Sequence, residues 1–156
     1  MRYCKWKYGD AWILKMDVSK FFYSINRDIL KQILRKKIND EKFLRLLDMI
    51  IDSSPEGEKG IPLGNVTSQD FANIYLNELD QYAKRFLGLK YYVRYMDDII
   101  VVLPTKEEAQ RAKESLTAFL NERLDLQTNE KTKIFPVDQG VNAYGFMDLK
   151  FILLID

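Results

Sequence analysis

The stretch YYVRYMDDIIVV, residues 91–102, decides the fold because it has the apolar pattern of a β-hairpin yet carries two adjacent carboxylates at its centre. Aspartate is a poor strand former, and an unpaired buried carboxylate is energetically costly. One interpretation is that Asp97 and Asp98 form an ordinary hairpin turn, although the strongest two-residue turn signals contain a glycine that is missing here. The other interpretation is that a bound cation offsets their charge.

Composition limits the chemistry that the chain can perform. It has 156 residues, of which 47% are hydrophobic, with one cysteine and no histidine. This length predicts a single domain, and Cys4 cannot form an internal disulfide. Without histidine, neither a His-based triad nor a usual zinc site can form, so catalysis would depend on carboxylates, amines or hydroxyls. The sequence shows no apolar run of membrane-spanning length and no signal peptide, so we expect a cytoplasmic protein without a membrane partner.

The net charge of +1 conceals an uneven distribution. Residues 1–50 contain 12 Lys and Arg against 6 Asp and Glu, whereas residues 51–156 contain 12 against 17. A basic part beside an acidic part suits a protein that binds a phosphate backbone on one side and cations on the other. Much of the basic excess lies in residues 31–45, KQILRKKINDEKFLR, whose helical spacing is equally typical of a solvated helix face.

Apolar spacing predicts alternating strands and helices. Asn26 and Thr105 are candidate helix N-caps, with Glu108 as the capping-box partner of Thr105. Phe43 falls on the apolar stripe of the second helix, and Ser68 is a candidate cap of the third. The order predicts an α+β domain in which helices cover one face of a largely antiparallel sheet and leave the other face open for a ligand. The predicted elements are a strand at 11–16, helices at 26–37, 40–52, 67–88 and 105–124, the hairpin at 91–102, and two or three short strands thereafter.

The acidic residues at the strand ends indicate a metal site. Asp17 ends the first predicted strand, and Asp97 sits at the tip of the hairpin. If these strands are neighbours, the two side chains converge on the open face. Oxygen ligands select Mg²⁺, or Mn²⁺ in its place, and two such ions about 3.5–4 Å apart are the usual device for phosphoryl transfer. Because successive strand residues point to opposite faces, Asp98 is expected to support the site rather than to ligate equally.

Four segments, in this order, resemble palm motifs of bacterial reverse transcriptases. They are KMDVSKFFYSI at 15–25, GIPLGNVTSQDFANIYLNELD at 60–80, YMDD at 95–98 and TNEKTKIF at 128–135. The similarity extends over residues 11–148 and is greatest to the group II intron, retron and diversity-generating retroelement branch. Four ordered motifs are far more specific than one. The resemblance implies a polymerase-type palm, that is, a ferredoxin-like antiparallel sheet with helices on one face.

The resemblance also implies an activity. In such an RNA-directed DNA polymerase, a primer 3′-hydroxyl attacks the α-phosphate of a deoxynucleotide, with two Mg²⁺ ions as cofactors. Asp17, Asp97 and Asp98 would be the catalytic residues, and Val18 joins them in the expected metal-binding set. The implied partners are an RNA template, a DNA primer and deoxynucleoside triphosphates. An accessory protein or a second copy of the chain is left open.

The same resemblance assigns binding residues. Phe22, five residues after Asp17, matches the bulky side chain that excludes a ribose 2′-hydroxyl, and core packing is its plain alternative. The implied nucleotide contacts are Lys20, Phe21, Phe22, Gly64, Gln69 and Lys131. The implied contacts to template or primer are Tyr95, Met96, Tyr144 and Gly145.

Departures from the family pattern leave other functions open. Leu63 stands where many relatives have glutamine, little of the fingers precedes Asp17, and no thumb follows the palm. We therefore expect residues 1–156 to be one palm domain without most of its fingers and thumb. A catalytically inactive fragment, or an accessory nucleic-acid-binding module of the same fold, is the alternative function, and a nucleotidyl cyclase is a third. The apolar run FILLI at 151–155 predicts self-association.

Overall fold

The computed structural model of the chain describes residues 11–54, 57, 59–62 and 66–139. Its strands are β1 (Trp12–Met16), β2 (Tyr91–Tyr95), β3 (Asp98–Leu103) and β4 (Lys133–Pro136). They form one antiparallel sheet in the order β2-β3-β1-β4. In the register, Met16 lies opposite Ile99, and Lys15 lies opposite Lys133. The predicted hairpin is confirmed as β2 and β3.

The four predicted helices occur in the predicted order, and one short helix that was not predicted precedes them. Together they are α1 (Phe21–Ser24), α2 (Arg27–Arg35), α3 (Glu41–Asp52), α4 (Val66–Gln81), continued by a π-helical segment (Tyr82–Phe86), and α5 (Lys106–Leu124). With helices between β1 and β2 and again between β3 and β4, this strand order is that of a ferredoxin-like sheet. The predicted α+β palm-type fold is confirmed. Among the described residues, none of the helices combines the length and apolar character needed to cross a membrane.

The two predicted caps fix the starts of α2 and α5. The Asn26 side chain accepts hydrogen bonds from the backbone N–H groups of Asp28 and Ile29, at 3.1 and 3.3 Å. The Thr105 hydroxyl oxygen accepts one from the backbone of Glu108 at 3.2 Å. A cap of this kind stabilises a helix by about 1 kcal/mol. Local sequence therefore determines where these two helices begin, although α2 ends at Arg35, before the predicted limit.

Two expectations about helix surfaces are wrong. Phe43 falls on the predicted apolar stripe of the second helix, yet it is 47% exposed because α3 turns Leu44 and Leu47 towards the core instead. Ser68 does not cap α4, since the helix already begins at Val66. Its hydroxyl donates to the carbonyl oxygen of Pro62, which ties the helix to the preceding loop.

The two faces of the sheet differ in what they bury. Alternate strand residues such as Leu14 and Ile99 join the main core beneath the helices. The expectation that the second face is open for a ligand is wrong at Ile13 and Ile100, which are only 0% and 4% exposed. The strand alternation that separates the faces also places Asp17 on the second one. Among the described strand residues, the polar part of this face thus lies at the end beside the β2–β3 turn.

Candidate active site at the β2–β3 turn

Two acidic side chains meet where β1 ends beside the β2–β3 turn. Asp17 directly follows β1 and is buried, at 9% exposure. Asp97 lies in the turn and is half-buried. Because β1 and β3 are paired neighbours, the chain that leaves β1 passes next to the turn that precedes β3. The structure therefore brings together the pair that the sequence singled out.

The electrostatics of this pair are unfavourable in the protein alone. Burial raises the pKa of Asp97 above its ordinary value, and the charges of Asp17 and Asp98 raise it further. A hydrogen bond from the backbone of Asp97 opposes this rise. Partly desolvated carboxylates of like charge disfavour one another's ionised form. A proton or a cation at this point relieves the repulsion.

Asn129 holds Asp17 in place from a distant part of the sequence. Its side-chain amide donates to Asp17 Oδ2 at 2.6 Å, and its backbone N–H donates to the Asp17 carbonyl at 3.0 Å. Its own Oδ1 accepts the backbone N–H of Lys131 at 2.8 Å. Sequence reasoning missed this residue. The available signal was an asparagine two positions before Lys131, which is the spacing of an Asx turn.

Lys131, a predicted nucleotide contact, also reaches the acidic pair. Its Nζ lies 3.5 Å from Asp17 Oδ2, while its side chain is 80% exposed. Only the lysine end of this pair is exposed, so the ammonium group stays accessible to a ligand.

Asp98 has a different environment from the other two acids. Its carboxylate lies 3.6 Å from Lys15 Nζ, and both side chains are partly exposed. Within the part of the chain that the structure describes, no three acidic or cysteine side chains gather closely enough to form a metal centre. The role of Asp98, as a metal ligand or as a supporting carboxylate, stays a prediction.

The turn after β1 carries the predicted nucleotide contacts. Lys20 has a left-handed backbone with φ +46°, and its side chain is exposed. The Phe21 side chain is buried in the main core, so a nucleotide contact at this residue would come from its backbone. Phe22 is only partly buried, and its ring centroid lies 5.5 Å from that of Phe21. Phe22 therefore combines a packed side with a surface that a ligand can reach.

The loop at 59–62 is hydrogen-bonded to the backbone that follows β1. The backbone N–H of Ile61 donates to the carbonyl of Phe22 at 3.1 Å, and that of Gly60 donates to Ile25 at 2.8 Å. Gly60 has φ +89°, and a Cβ at this position would lie 3.2 Å from the Tyr23 carbonyl oxygen. The close approach of the two backbone segments thus requires glycine.

Arg27 organises the same loop from inside the protein. Its Nε donates to the Gly60 carbonyl at 2.8 Å, and its Nη2 donates to the carbonyls of Lys59 and Ser54, both at 3.3 Å. The residue is only 9% exposed. Sequence reasoning missed Arg27, because a basic residue at the start of an amphipathic helix gives no local signal of burial.

The remaining predicted site residues have varied positions. Gln69 and Tyr95 are exposed, the latter at 64%. Met96 is partly buried and has a left-handed backbone with φ +53°. Val18 is buried and pairs with Thr128 in an isolated antiparallel bridge. Gly64, Tyr144 and Gly145 lie outside the described residues.

The donor set at the turn fits a hard divalent cation. Asp17 and Asp97 offer carboxylate oxygens, which are the ligands that Mg²⁺ and Mn²⁺ prefer. Burial first, and then the charges of Asp17 and Asp98, raise the pKa of Asp97, and a bound cation would offset both effects. The chemistry of the residues present therefore agrees with the predicted cofactor.

The sequence matches a known family over most of its length. The family model described as reverse transcriptase (RNA-dependent DNA polymerase) covers residues 2–147. The chain belongs to the reverse transcriptase family, and the resemblance based on four motifs is confirmed.

Curated relatives include bacterial and intron-encoded proteins. Protein YkfC of Escherichia coli K12 is 28% identical over 174 residues, which cover 86% of this chain and 46% of YkfC. A putative COX1/OXI3 intron 2 protein of Saccharomyces cerevisiae is 31% identical over 90 residues, which cover 53% of this chain and 10% of that protein. The chain thus spans less than half the length of these relatives.

Solved structures with the same fold include telomerases. The apo telomerase of Candida tropicalis, truncated from its C-terminal domain, superposes with a TM-score of 0.67 at 17% identity. This match covers 86% of this chain and 33% of the telomerase. A Candida albicans telomerase in complex with a fragment of telomeric RNA gives 0.65 at 15% identity, over 91% of this chain and 29% of the telomerase. At such identities the likeness concerns the fold.

Proposed function

We propose that residues 1–156 form the palm domain of an RNA-directed DNA polymerase, which extends a DNA primer with deoxynucleotides on an RNA template. The single observation that carries the proposal is the meeting of Asp17 and Asp97 at the β2–β3 turn in a chain of the reverse transcriptase family. Fold alone would not suffice, since one fold supports many activities. A pair of hard oxygen donors at this turn gives the fold a specific chemistry.

Asp17 and Asp97 are proposed to bind two Mg²⁺ ions, and Val18 lies beside them. Mn²⁺ is expected to substitute for Mg²⁺. When bound, such ions activate the attacking hydroxyl and stabilise charge on the leaving group. Asn129 keeps Asp17 oriented through its 2.6 Å hydrogen bond. Asp98, paired with Lys15, adds negative charge next to Asp97 and supports the pair.

The turn after β1 is the proposed nucleotide platform. Partly exposed Phe22 would contact the sugar and exclude a 2′-hydroxyl, while buried Phe21 would hold the platform from below. Lys131 would place its ammonium group near the triphosphate and offset charge on the departing pyrophosphate. The other proposed nucleotide contacts are Lys20, Gly64 and Gln69.

The template and primer are proposed to pass across the turn. Exposed Tyr95 and partly buried Met96 stand at its tip. Tyr144 and Gly145 are proposed to contact the primer. Because the chain spans less than half of its relatives, the activity and partners of the whole protein are part of this proposal, as is the assignment of 1–156 to a single palm domain.

The test combines primer extension with direct metal binding. The wild-type chain, Asp97→Asn and Glu107→Gln would be compared on an RNA template with a DNA primer, deoxynucleotides and Mg²⁺. Glu107 is an exposed acid in the first turn of α5, so it controls for loss of charge alone. Mn²⁺ binding would be followed in parallel by electron paramagnetic resonance.

We expect extension and Mn²⁺ binding by the wild type and Glu107→Gln, with both lost in Asp97→Asn. Mn²⁺ binding without extension by the wild type would favour the inactive or accessory module over a self-sufficient polymerase. Equal Mn²⁺ binding by all three folded proteins would contradict the proposed site.

A further inference from the structure

Arg94 forms a network of hydrogen bonds directly behind the β2–β3 turn. Its Nε and Nη2 donate to the two carboxylate oxygens of Asp80, at 2.8 and 2.7 Å. Its Nη1 donates to the backbone carbonyl of Met96 at 2.9 Å and to Asn73 Oδ1 at 3.2 Å. One guanidinium thus links helix α4 to the turn that carries Asp97.

The network is shielded from solvent and well satisfied. The side chains of Arg94 and Asp80 are 10% and 21% exposed. The Tyr92 hydroxyl donates to Asp80 Oδ1 at 2.7 Å, which adds a third hydrogen bond to that carboxylate. Burial opposes the charge of Arg94, but the bonds to Asp80 outweigh it, so the pKa of Arg94 is raised. A bidentate pair in such surroundings is far more rigid than an exposed one.

The contact to Met96 falls on the strained residue of the turn. Met96 has φ +53°, a left-handed conformation that non-glycine residues rarely adopt without support. Its carbonyl belongs to the peptide bond that leads into Asp97. Holding this carbonyl therefore restricts the direction in which the Asp97 backbone leaves the turn.

We propose that Arg94 is a positioning residue, which holds Met96 in its left-handed conformation and thereby keeps Asp97 beside Asp17. The geometric part concerns the turn alone, and the consequence for metal binding depends on the proposed function. Lysine would not replace arginine here. An ammonium group is a point donor on a flexible stem and cannot bind both Asp80 oxygens and the Met96 carbonyl in one fixed geometry.

The test first removes the hydrogen bond from Arg94 to the Met96 carbonyl, and then makes that bond unnecessary by placing glycine at position 96. Arg94→Lys keeps a positive charge for Asp80 but loses the planar fork. Adding Met96→Gly lets the turn adopt positive φ without support, because glycine populates that region freely. Arg111→Lys, at an exposed position of α5, is the matched control. Tyr92→Phe removes a hydrogen bond to Asp80 without changing the contact to Met96.

Two readouts apply to the full chain. Hydrogen–deuterium exchange of a peptide containing residues 95–98, in metal-free protein, reports the order of the turn. Titration with Mn²⁺ by electron paramagnetic resonance reports affinity. We expect Arg94→Lys to exchange faster in this peptide and to bind Mn²⁺ about 10–100-fold more weakly, as for other residues that orient metal ligands. We expect Arg94→Lys with Met96→Gly to recover most of the affinity, and Tyr92→Phe and Arg111→Lys to keep it.

The outcomes separate this inference from the proposed function. If the wild type binds no Mn²⁺, the proposed function fails, while the exchange of residues 95–98 still decides the positioning role. Unchanged exchange in folded Arg94→Lys would overturn the inference. Failure of Met96→Gly to restore affinity would also overturn it. If Arg94→Lys does not fold with or without Met96→Gly, Arg94 serves global stability and the positioning role is rejected.

Discussion

The side-chain amide of Asn129 donates a 2.6 Å hydrogen bond to Asp17 Oδ2, joining two residues that lie 112 positions apart. The backbone of Asn129 donates to the Asp17 carbonyl as well. Side chain and backbone of one acid are therefore oriented by a single residue beyond α5. This contact makes the loop before β4 part of the candidate active site.

Asn129→Ala should weaken the site without unfolding the protein. It removes the donor to Asp17 Oδ2, and the loss of a residue that orients a metal ligand typically costs about 10–100-fold in affinity or activity. Mn²⁺ affinity and primer extension would measure the loss. Asn121→Ala, on the exposed surface of α5, is the control and should retain both. Equal Mn²⁺ affinities of the two variants would contradict the orienting role of Asn129.

Asp97→Asn should stabilise the metal-free protein at neutral pH. The pKa of Asp97 is raised in the folded state, first by burial and then by Asp17 and Asp98. A carboxyl group with a raised pKa binds its proton more tightly in the folded protein, so stability falls as pH rises through the window between the ordinary pKa of 3.8 and the raised pKa. Above that window the ionised group remains destabilising, and the neutral amide removes this effect.

The measurement is thermal unfolding across pH without metal. The melting temperature of Asp97→Asn should exceed that of the wild type at pH 7, and the difference should shrink as the pH falls towards 3.8. Added Mg²⁺ should raise the melting temperature of the wild type only. A wild type more stable than Asp97→Asn at pH 7 in chelator would show that the repulsion has been misjudged.

The sequence predicted what depends on local pattern. Asn26 and Thr105 cap helices because capping needs only their own side chains and the next few backbone groups. The YMDD turn was located because apolar strands flank it on both sides. The pairing of β1 with β3 was only a condition of the predicted metal site, and the structure shows that pairing.

Contacts between polar residues far apart in the chain could not be predicted from the sequence. Arg94 and Asp80 are 14 positions apart, and Arg27 and Gly60 are 33 apart. Neither spacing has a periodicity that distinguishes a buried arginine from a solvated one. The position of Phe43 was mispredicted for a related reason. Helical spacing shows how wide an apolar face is, but not which part of it the neighbouring helix covers.

Phe22→Ala should relax the selection of deoxynucleotides. Phe22 is partly exposed on the turn after β1, and its removal would make room for a 2′-hydroxyl at the proposed sugar position. We expect the ratio of kcat/KM for deoxynucleotides over ribonucleotides to fall by about tenfold or more. Phe43→Ala, at an exposed position of α3, is the control and should leave this ratio of kcat/KM values unchanged. A lower rate with an unchanged ratio would assign Phe22 to packing.

Gly60→Ala should destabilise the protein more than Gly88→Ala. Both glycines have positive φ, +89° and +66°, so each alanine incurs about 1–2 kcal/mol of backbone strain. Only at Gly60 would the new Cβ also approach a neighbour, the Tyr23 carbonyl oxygen at 3.2 Å. Gly88 has open space instead, so the difference between their free energies of unfolding in urea isolates the close approach of the loop to α1. Because the new Cβ would also lie 3.5 Å from the Phe22 carbonyl oxygen, Gly60→Ala should raise the KM for deoxynucleotides, whereas Gly88→Ala should not. Equal destabilisation and equal KM values would mean that the loop can shift away from α1 without disturbing the nucleotide platform.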